Sequence, residues 1–150
     1  MDMDEIDKKI LEILQHNDKV PYYQIGKKLN IGASTVYSRV KKMVEKGIIK
    51  SFSAIVEPET VGYNTIAWIG LSVNPRKTEK VAKKLASYDE VQVIASSSGD
   101  HDIVLQVIAR NEKELWKFIK EKIKTIDGVE KDIHVSTFIE LYKRTNVVKL

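Results

Sequence analysis

The stretch STVYSRVKKMVEKG, residues 34–47, decides how the rest of the chain is read. Val36, Val40, Met43 and Val44 stand at i, i+4, i+7 and i+8, the spacing of one apolar helix face. Gly47 is a natural stop, so a helix is expected over Ser34–Lys46. Its opposite face carries Ser34, Thr35, Ser38, Lys41 and Lys42, with Tyr37 and Arg39 at the flanks. Short polar side chains let a helix backbone approach the DNA major groove, while Arg and Lys reach phosphates or guanine edges.

The neighbouring segments extend this reading. Ile6, Ile10, Ile13 and Leu14 recur at helical spacing, predicting an amphipathic helix from Asp4 to Leu14. NDK at 17–19 breaks it, and Pro21 suits the first turn of a second helix, which carries Ile25 and Leu29 inward. That helix ends at NIG, where Asn30 and Gly32 both tolerate a left-handed backbone. IIKSFSAIV, residues 48–56, reads as two short strands, a hairpin or wing. The expected domain is a winged helix-turn-helix over residues 1–50, followed by a wing and hinge linker over 51–64.

Charge supports a polyanionic partner. Residues 1–19 hold three Lys/Arg against six Asp/Glu, net −3, and residues 20–50 hold seven against Glu45 alone, net +6. Residues 51–150 hold fifteen against fourteen, so the excess sits in one short segment. Ser34, Thr35 and Ser38 are the candidates for groove approach, and Arg39 for reading a base or phosphate. Lys27, Lys28, Lys41, Lys42 and Lys50 would position the backbone and steepen the salt dependence. Of Tyr22 and Tyr23, either of which can donate to a phosphate, one is expected to pack on the first helix instead. Tyr22 is kept among the DNA-binding candidates.

Composition excludes other classes. The chain has 150 residues, 43% hydrophobic and 31% charged, which suits a globular protein with one good core or two small ones. It has no cysteine, so disulfides and thiolate metal sites are excluded, and a cytoplasmic setting is expected. MDMDEIDKK is acidic and runs straight into a helical pattern, which predicts no signal peptide, and no apolar run approaches a membrane span.

Beyond EPETVGYN, residues 57–64, the periodicity changes. Strands are expected over 65–73, 91–98, 102–109 and 132–141, and helices over 77–88 and 112–126. The order is βαββαβ, a ferredoxin-like split pattern over 65–150. The first strand is apolar on both sides, with Ala67, Ile69, Leu71 and Val73 against Ile66 and Trp68. The third sets Ile103, Leu105 and Val107 against Val104 and Ile108, and the last has Phe138 opposite Ile133, Val135 and Ile139. Two helices cover one face only, so the other is expected to pack on a second subunit. A twofold dimer also suits DNA, because paired recognition helices read half-sites one helical turn apart.

SSSGDHD, residues 96–102, joins two of these strands and raises the question of a chemical site. Three adjacent residues on an extended chain do not converge on a metal, His16 and His134 lie in other elements, and no nucleophile or oxyanion pocket is legible nearby. Neither a metal nor a catalytic site is expected. A hairpin turn is, with Gly99 supplying positive φ and Asp100 capping the backbone. Turn amides suit a carboxylate and an Asp suits an ammonium, so a free amino acid fits the turn.

Taken together, DEIDKKILEILQHNDKV, STVYSRVKKMVEKGIIKSF, VEPETVGY, SGDHD and the closing YKRTN resemble the Lrp/AsnC (feast/famine) transcription regulators, from Met3 to Leu150. The resemblance implies a winged helix-turn-helix joined to a ferredoxin-like domain of the RAM type. It further implies homodimers, often assembled to octamers, that bind promoter or operator DNA. Their C-terminal domain senses amino acids at an interface between subunits. Gly99, Asp100 and Asp102 match the loop motif, with Ser98 and His101 beside them and Ser136, Thr137 and Phe138 as neighbours on the last strand. The hydroxyls there lean toward an amide-bearing effector such as glutamine. No cofactor is implied. Gly32 stands where the family commonly has a serine cap, and His101 where an aromatic residue is usual. Two alternatives share the frame: a tetrapyrrole (sirohaem-type) decarboxylase, and a DNA-architectural protein without an effector.

Overall fold

The computed structural model describes residues 3–150, and the chain divides into two units. The first runs to Ile55 and takes in Lys143–Leu150; the second is Val56–Tyr142. Among the described residues no helix is long and apolar enough to cross a membrane.

In the first unit, α1 (Glu5–His16), α2 (Tyr22–Leu29) and α3 (Ala33–Glu45) close around Ile10, Leu11, Leu14, Ile25, Val36, Val40 and Met43. Asp4 caps α1: its carboxylate accepts from the Asp7 N–H at 2.8 Å, and the Asp7 side chain answers the Asp4 N–H. Pro21 is the residue just before α2, a position where its missing N–H costs nothing. The α2–α3 turn is tight. Asn30 takes the left-handed backbone (φ 55°), whereas Gly32 does not (φ −69°). A Cβ on Gly26 would lie 2.6 Å from the Ile31 carbonyl oxygen, so the two segments meet at a distance only glycine allows.

Two expectations fail in this unit. Val44 is 43% exposed, although it stands eight residues after Val36. At 100° per residue it lies about 80° round the helix from Val36, whereas Met43 lies about 20° from it and is buried. The wing strands over 48–56 do not form. The Ile48 and Ile49 N–H groups both donate to the Met43 carbonyl at the end of α3, and KSFS has no Gly, Asn or Asp to supply the left-handed residues of a tight hairpin turn.

The tail also reaches the first unit. The Gln15 side-chain amide donates to the Val148 carbonyl at 2.9 Å and accepts from the Val148 N–H at 2.7 Å, which ties residues 143–150 to α1.

α1 and α3 are joined by a further contact. The Arg39 guanidinium donates to Asp4 at 2.6 Å and Asp7 at 2.8 Å, with the Asp7 side chain only 13% exposed. The Asp7 N–H, and next the Arg39 guanidinium, hold the Asp4 carboxyl below the usual aspartate range. The two carboxylates, Asp7 first, raise the pKa of Arg39.

The second unit is one antiparallel sheet with two helices. β1 (Thr65–Val73), α4 (Thr78–Ala86), β2 (Val91–Ser96), β3 (Ile103–Ala109), α5 (Glu112–Phe118) and β4 (Val129–Thr137) give the order β2-β3-β1-β4. α5 continues as a wider turn over Ile119–Ile123, so the single helix expected at 112–126 changes pitch partway. Ala67, Ile69, Leu71 and Val73 face the core with Ile103, Leu105, Val107, Val81, Leu85, Leu115 and Ile123. β4 starts and ends earlier than expected, because Gly128 (φ +106°) turns the chain straight into it. Phe138 lies just past its end, held by an N–H donated to the Ile66 carbonyl at 2.8 Å. On the face away from the helices, Trp68 and Val93 remain 39% and 46% exposed.

Two outcomes are expected. A helical Gly→Ala change ordinarily stabilises, but Gly26→Ala should cost about 1–3 kcal/mol in urea denaturation, because its methyl meets backbone. For Asp4, the folded state holds the proton less tightly than the unfolded chain does. Its contribution is therefore complete above about pH 4, the ordinary aspartate range, and lost as pH falls through the folded value. Asp4→Asn should flatten the loss of stability between pH 6 and pH 3, followed by circular dichroism.

Candidate DNA-reading face and ligand turn

Ser34, Thr35, Ser38, Lys41 and Lys42 are all exposed on α3. Gly32 provides no side-chain acceptor for the first turn, so the helix start presents free N–H groups and the positive end of its dipole. Alongside runs a groove of about 550 Å³, lined by Ser34, Thr35, Ser38, Lys42 and Lys46 with Asp4, Asp7 and Arg39. Lys27 and Lys28 stand exposed in the last turn of α2, and Lys50 just beyond α3.

Two assignments on this face change. Arg39, expected to read a base or phosphate, also ties α3 to the α1 start: one terminal nitrogen donates to both Asp4 and Asp7, and the side chain still lines the groove. The Asp-x-x-Asp cap was legible at 4–7, but nothing in the sequence announces a partner 32 or 35 residues away. Tyr22 is the tyrosine that packs, against the helical cluster and with its ring 6.2 Å from that of Tyr37. Tyr23 and Tyr37 are the exposed ones, at 62% and 57%. Lys46, not singled out in the sequence, lies in the same groove.

In the second unit, the turn after β2 is stitched at both ends. The Ser97 N–H donates to the Asp102 carbonyl at 2.9 Å. Asp102 then bonds to β1 twice: its N–H donates to the Leu71 carbonyl at 2.9 Å, and its carboxylate accepts from the Val73 N–H at 2.7 Å. Gly99 does not take positive φ; among the described glycines Gly47, Gly62 and Gly128 do. Asp100 makes no capping hydrogen bond among the described residues. The Ser97 hydroxyl accepts from the Gly99 N–H at 3.2 Å instead. A turn this long reverses the chain without a left-handed residue, and the serine hydroxyl holds it.

Ser98, Gly99 and Asp100 are exposed at the tip. His101 folds back onto the sheet and lies over Gly70, where any Cβ would run into its imidazole. Its ring centre is 4.7 Å from that of His134, which faces Gly70 across β4. His134, set aside in the sequence as belonging to another element, is therefore a neighbour of the turn. An alternation count on β4 could have placed it on that face, but not opposite Gly70.

Ser136, Thr137 and Phe138 lie elsewhere in the same chain. Thr137 pairs with Ala67 and Ser136 with Trp68, whereas the turn meets β1 at Leu71 and Val73. Four residues of strand separate them, roughly 13 Å. His101, over Gly70 and beside His134, reaches toward the Trp68–Ser136 pair on the same face, whereas Asp102 meets β1 farther along, at Leu71 and Val73.

The parts of the chain match known families. Residues 3–50 match the family described as winged helix-turn-helix DNA-binding, and residues 66–148 the Lrp/AsnC ligand binding domain. The chain is 39% identical over 143 residues to the HTH-type transcriptional regulator FL11 of Pyrococcus furiosus, covering 95% of this chain and 93% of that protein. It is 40% identical over 129 residues to the HTH-type transcriptional regulator LrpA of Pyrococcus horikoshii, covering 86% and 92%. Among solved structures it is similar to E. coli AsnC, with a TM-score of 0.91 and 26% identity over 98% of this chain and 99% of that one. It also shares the fold of a Neisseria meningitidis transcriptional regulator in its L-Met complex, with a TM-score of 0.91 and 23% identity over 99% and 97%. With a helix-turn-helix ahead of a ligand-binding sheet, the chain belongs to the Lrp/AsnC family of DNA-binding transcriptional regulators.

Proposed function

We propose that the protein works in the cytoplasm as a homodimer, further assembled to an octamer, that reads double-stranded promoter DNA with α3 and senses an amino acid at the 97–102 turn. The observation that carries the DNA half is the exposed face of α3, which carries free N–H groups and short hydroxyl side chains at its start and Lys41 and Lys42 toward its end. Such a start is complementary to a phosphate, and the hydroxyls allow close approach to base edges.

The register of β1 supports the sensing half. His101 of the turn lies over Gly70 and His134 pairs with Gly70, next to the Trp68–Ser136 pair, so the turn and the Ser136–Phe138 segment border one open face that a second copy would cover. The exposed Trp68 and Val93 on that face favour such pairing. At the tip, Asp100 is exposed with no side-chain partner among the described residues, which suits it to an ammonium; the turn amides suit a carboxylate. The Neisseria regulator's complex with L-Met supports an amino acid as the class of effector. Ser98 and Thr137 lean the choice toward glutamine.

Two measurements test this. Replacing Lys41 and Lys42 by Ala should weaken promoter binding and lower the salt slope by about 0.9 for each phosphate that the variant no longer neutralises, read by fluorescence anisotropy across a salt series. An unchanged slope would remove α3 from the DNA interface. In a thermal-shift panel of the twenty amino acids, one should raise the Tm of the wild type but not of Asp100→Asn. Equal shifts in both proteins would remove the turn from the effector site.

A further inference from the structure

Two imidazoles meet on the open face of the sheet. The ring centres of His101 and His134 are 4.7 Å apart, with their planes 47° from parallel. His101 lies over buried Gly70, where any Cβ would run into its ring. Gly70 in turn pairs with His134 on β4 and with Val104 on β3, one row along the sheet from Trp68.

The surroundings supply no fixed counter-charge. On this face β1 presents Trp68, Gly70 and Ser72, and β3 presents Val104 and Gln106, none of them titratable. Asp100 and Asp102 flank His101 in the turn, and β4 brings Glu130, Lys131 and Asp132 ahead of His134. The Asp102 carboxylate is taken by the Val73 N–H at 2.7 Å. Asp100, Glu130, Lys131 and Asp132 are exposed, and among the described residues no carboxylate forms an ion pair with either imidazole.

Imidazole is the side chain whose charge changes between pH 5 and pH 8. Uncharged, the two rings are flat, partly apolar surfaces that extend the area begun by exposed Trp68 and Val93. Charged, they are like charges in contact, and a second copy covering them removes the water that screens them. A twofold contact uses the same patch on both partners, so the charge enters the interface twice.

We infer that His101 and His134 make the pairing of two copies sensitive to pH, with neutral imidazoles at the contact and their protonation separating the copies. The switch rests on the pairing across the open face proposed above, which it regulates. The paired form binds fewer protons than two free copies. Pairing is therefore tightest above about pH 7.5 and weakens as pH falls through the imidazole range.

The test is sedimentation of the fluorescently labelled full chain from nanomolar to micromolar concentration, at pH 5.5, 6.5 and 7.5 and constant ionic strength. That window lies above the ordinary titration of Asp and Glu. His16, the third histidine, sits at the end of α1 in the first unit, so variants in the second unit separate its effect. The expected result is a pairing Kd about tenfold or more higher at pH 5.5 than at pH 7.5, with the rise below about threefold in His101→Phe/His134→Gln. The same Kd at both pH values, or an equal rise in the double variant, would overturn the switch and leave the pairing standing. A wild type that stays monomeric throughout would overturn the pairing and the switch together. If the double variant fails to fold or to pair at pH 7.5, the wild type decides alone. Its calorimetric dilution at pH 6.5, in two buffers of different ionisation enthalpy, should show protons taken up on dissociation, and no uptake would overturn the switch.

Discussion

Two helices can cover one face of a four-stranded sheet and no more. In the second unit both α4 and α5 lie over the face that carries Ala67, Ile69, Leu71 and Val73, all at most 1% exposed. The alternate residues of β1 are of a different kind: Ile66 and Trp68 are apolar, and Gly70 is bare so that His101 can lie on it. A single-layer sheet facing water would have polar residues in those places. Leaving Trp68 partly exposed forgoes roughly 25 cal/mol for each Å² of apolar surface, a loss that covering the face would recover. The partly uncovered face is thus a property of the protomer alone, and it is what the proposed pairing would cover.

The first unit works under a tighter limit, since its core is seven buried side chains from three short helices. It is reinforced by polar contacts: the Asp4–Asp7 capping box, the Gln15–Val148 amide pair and the Arg39 bridge to both acids. The last of these alters how α3 can read DNA. Arg39 is the one arginine of that helix, and arginine is the side chain that grips guanine with two parallel hydrogen bonds. Both bonds come from one terminal nitrogen of Arg39, which ties that end of the guanidinium to α1, while the exposed cations on α3 are lysines, point charges suited to phosphates.

What was legible in the sequence was what repeats locally. Strand alternation placed β1 at 65–73, and helical periodicity found all five helices, because burial on one face leaves a regular mark on neighbouring residues. The misses share a cause. Arg39 with Asp4 and Asp7, Gln15 with Val148, and His101 with His134 are pairings across 32 to 133 residues, and no local pattern carries them. Others were local signals with two outcomes. Glycine permits positive φ without requiring it, so Gly47 and Gly128 use that freedom and Gly99 does not. IIKSFSAIV has the composition of strands but lacks the turn residues to pair them. Val44 shows the limit of a helical count, since a position eight residues on already lies at the margin of the buried stripe.

Asp102 connects the turn to the rest of the sheet. Its backbone N–H and its carboxylate both bind β1, at Leu71 and Val73, and β1 is a central strand with β3 on one side and β4 on the other. The same strand carries Gly70, and with it His101 and His134, onto the open face. A molecule held at the tip, as proposed, would be close in sequence to the hydrogen bonds that position β1, and a second copy on the open face would contact the same strand. Coupling of this kind is reciprocal: a ligand that binds the assembled form more tightly strengthens assembly by the same factor. His101 belongs to the turn in sequence and to the open face in space. Its imidazole lies over Gly70 and adds a polar edge to that face.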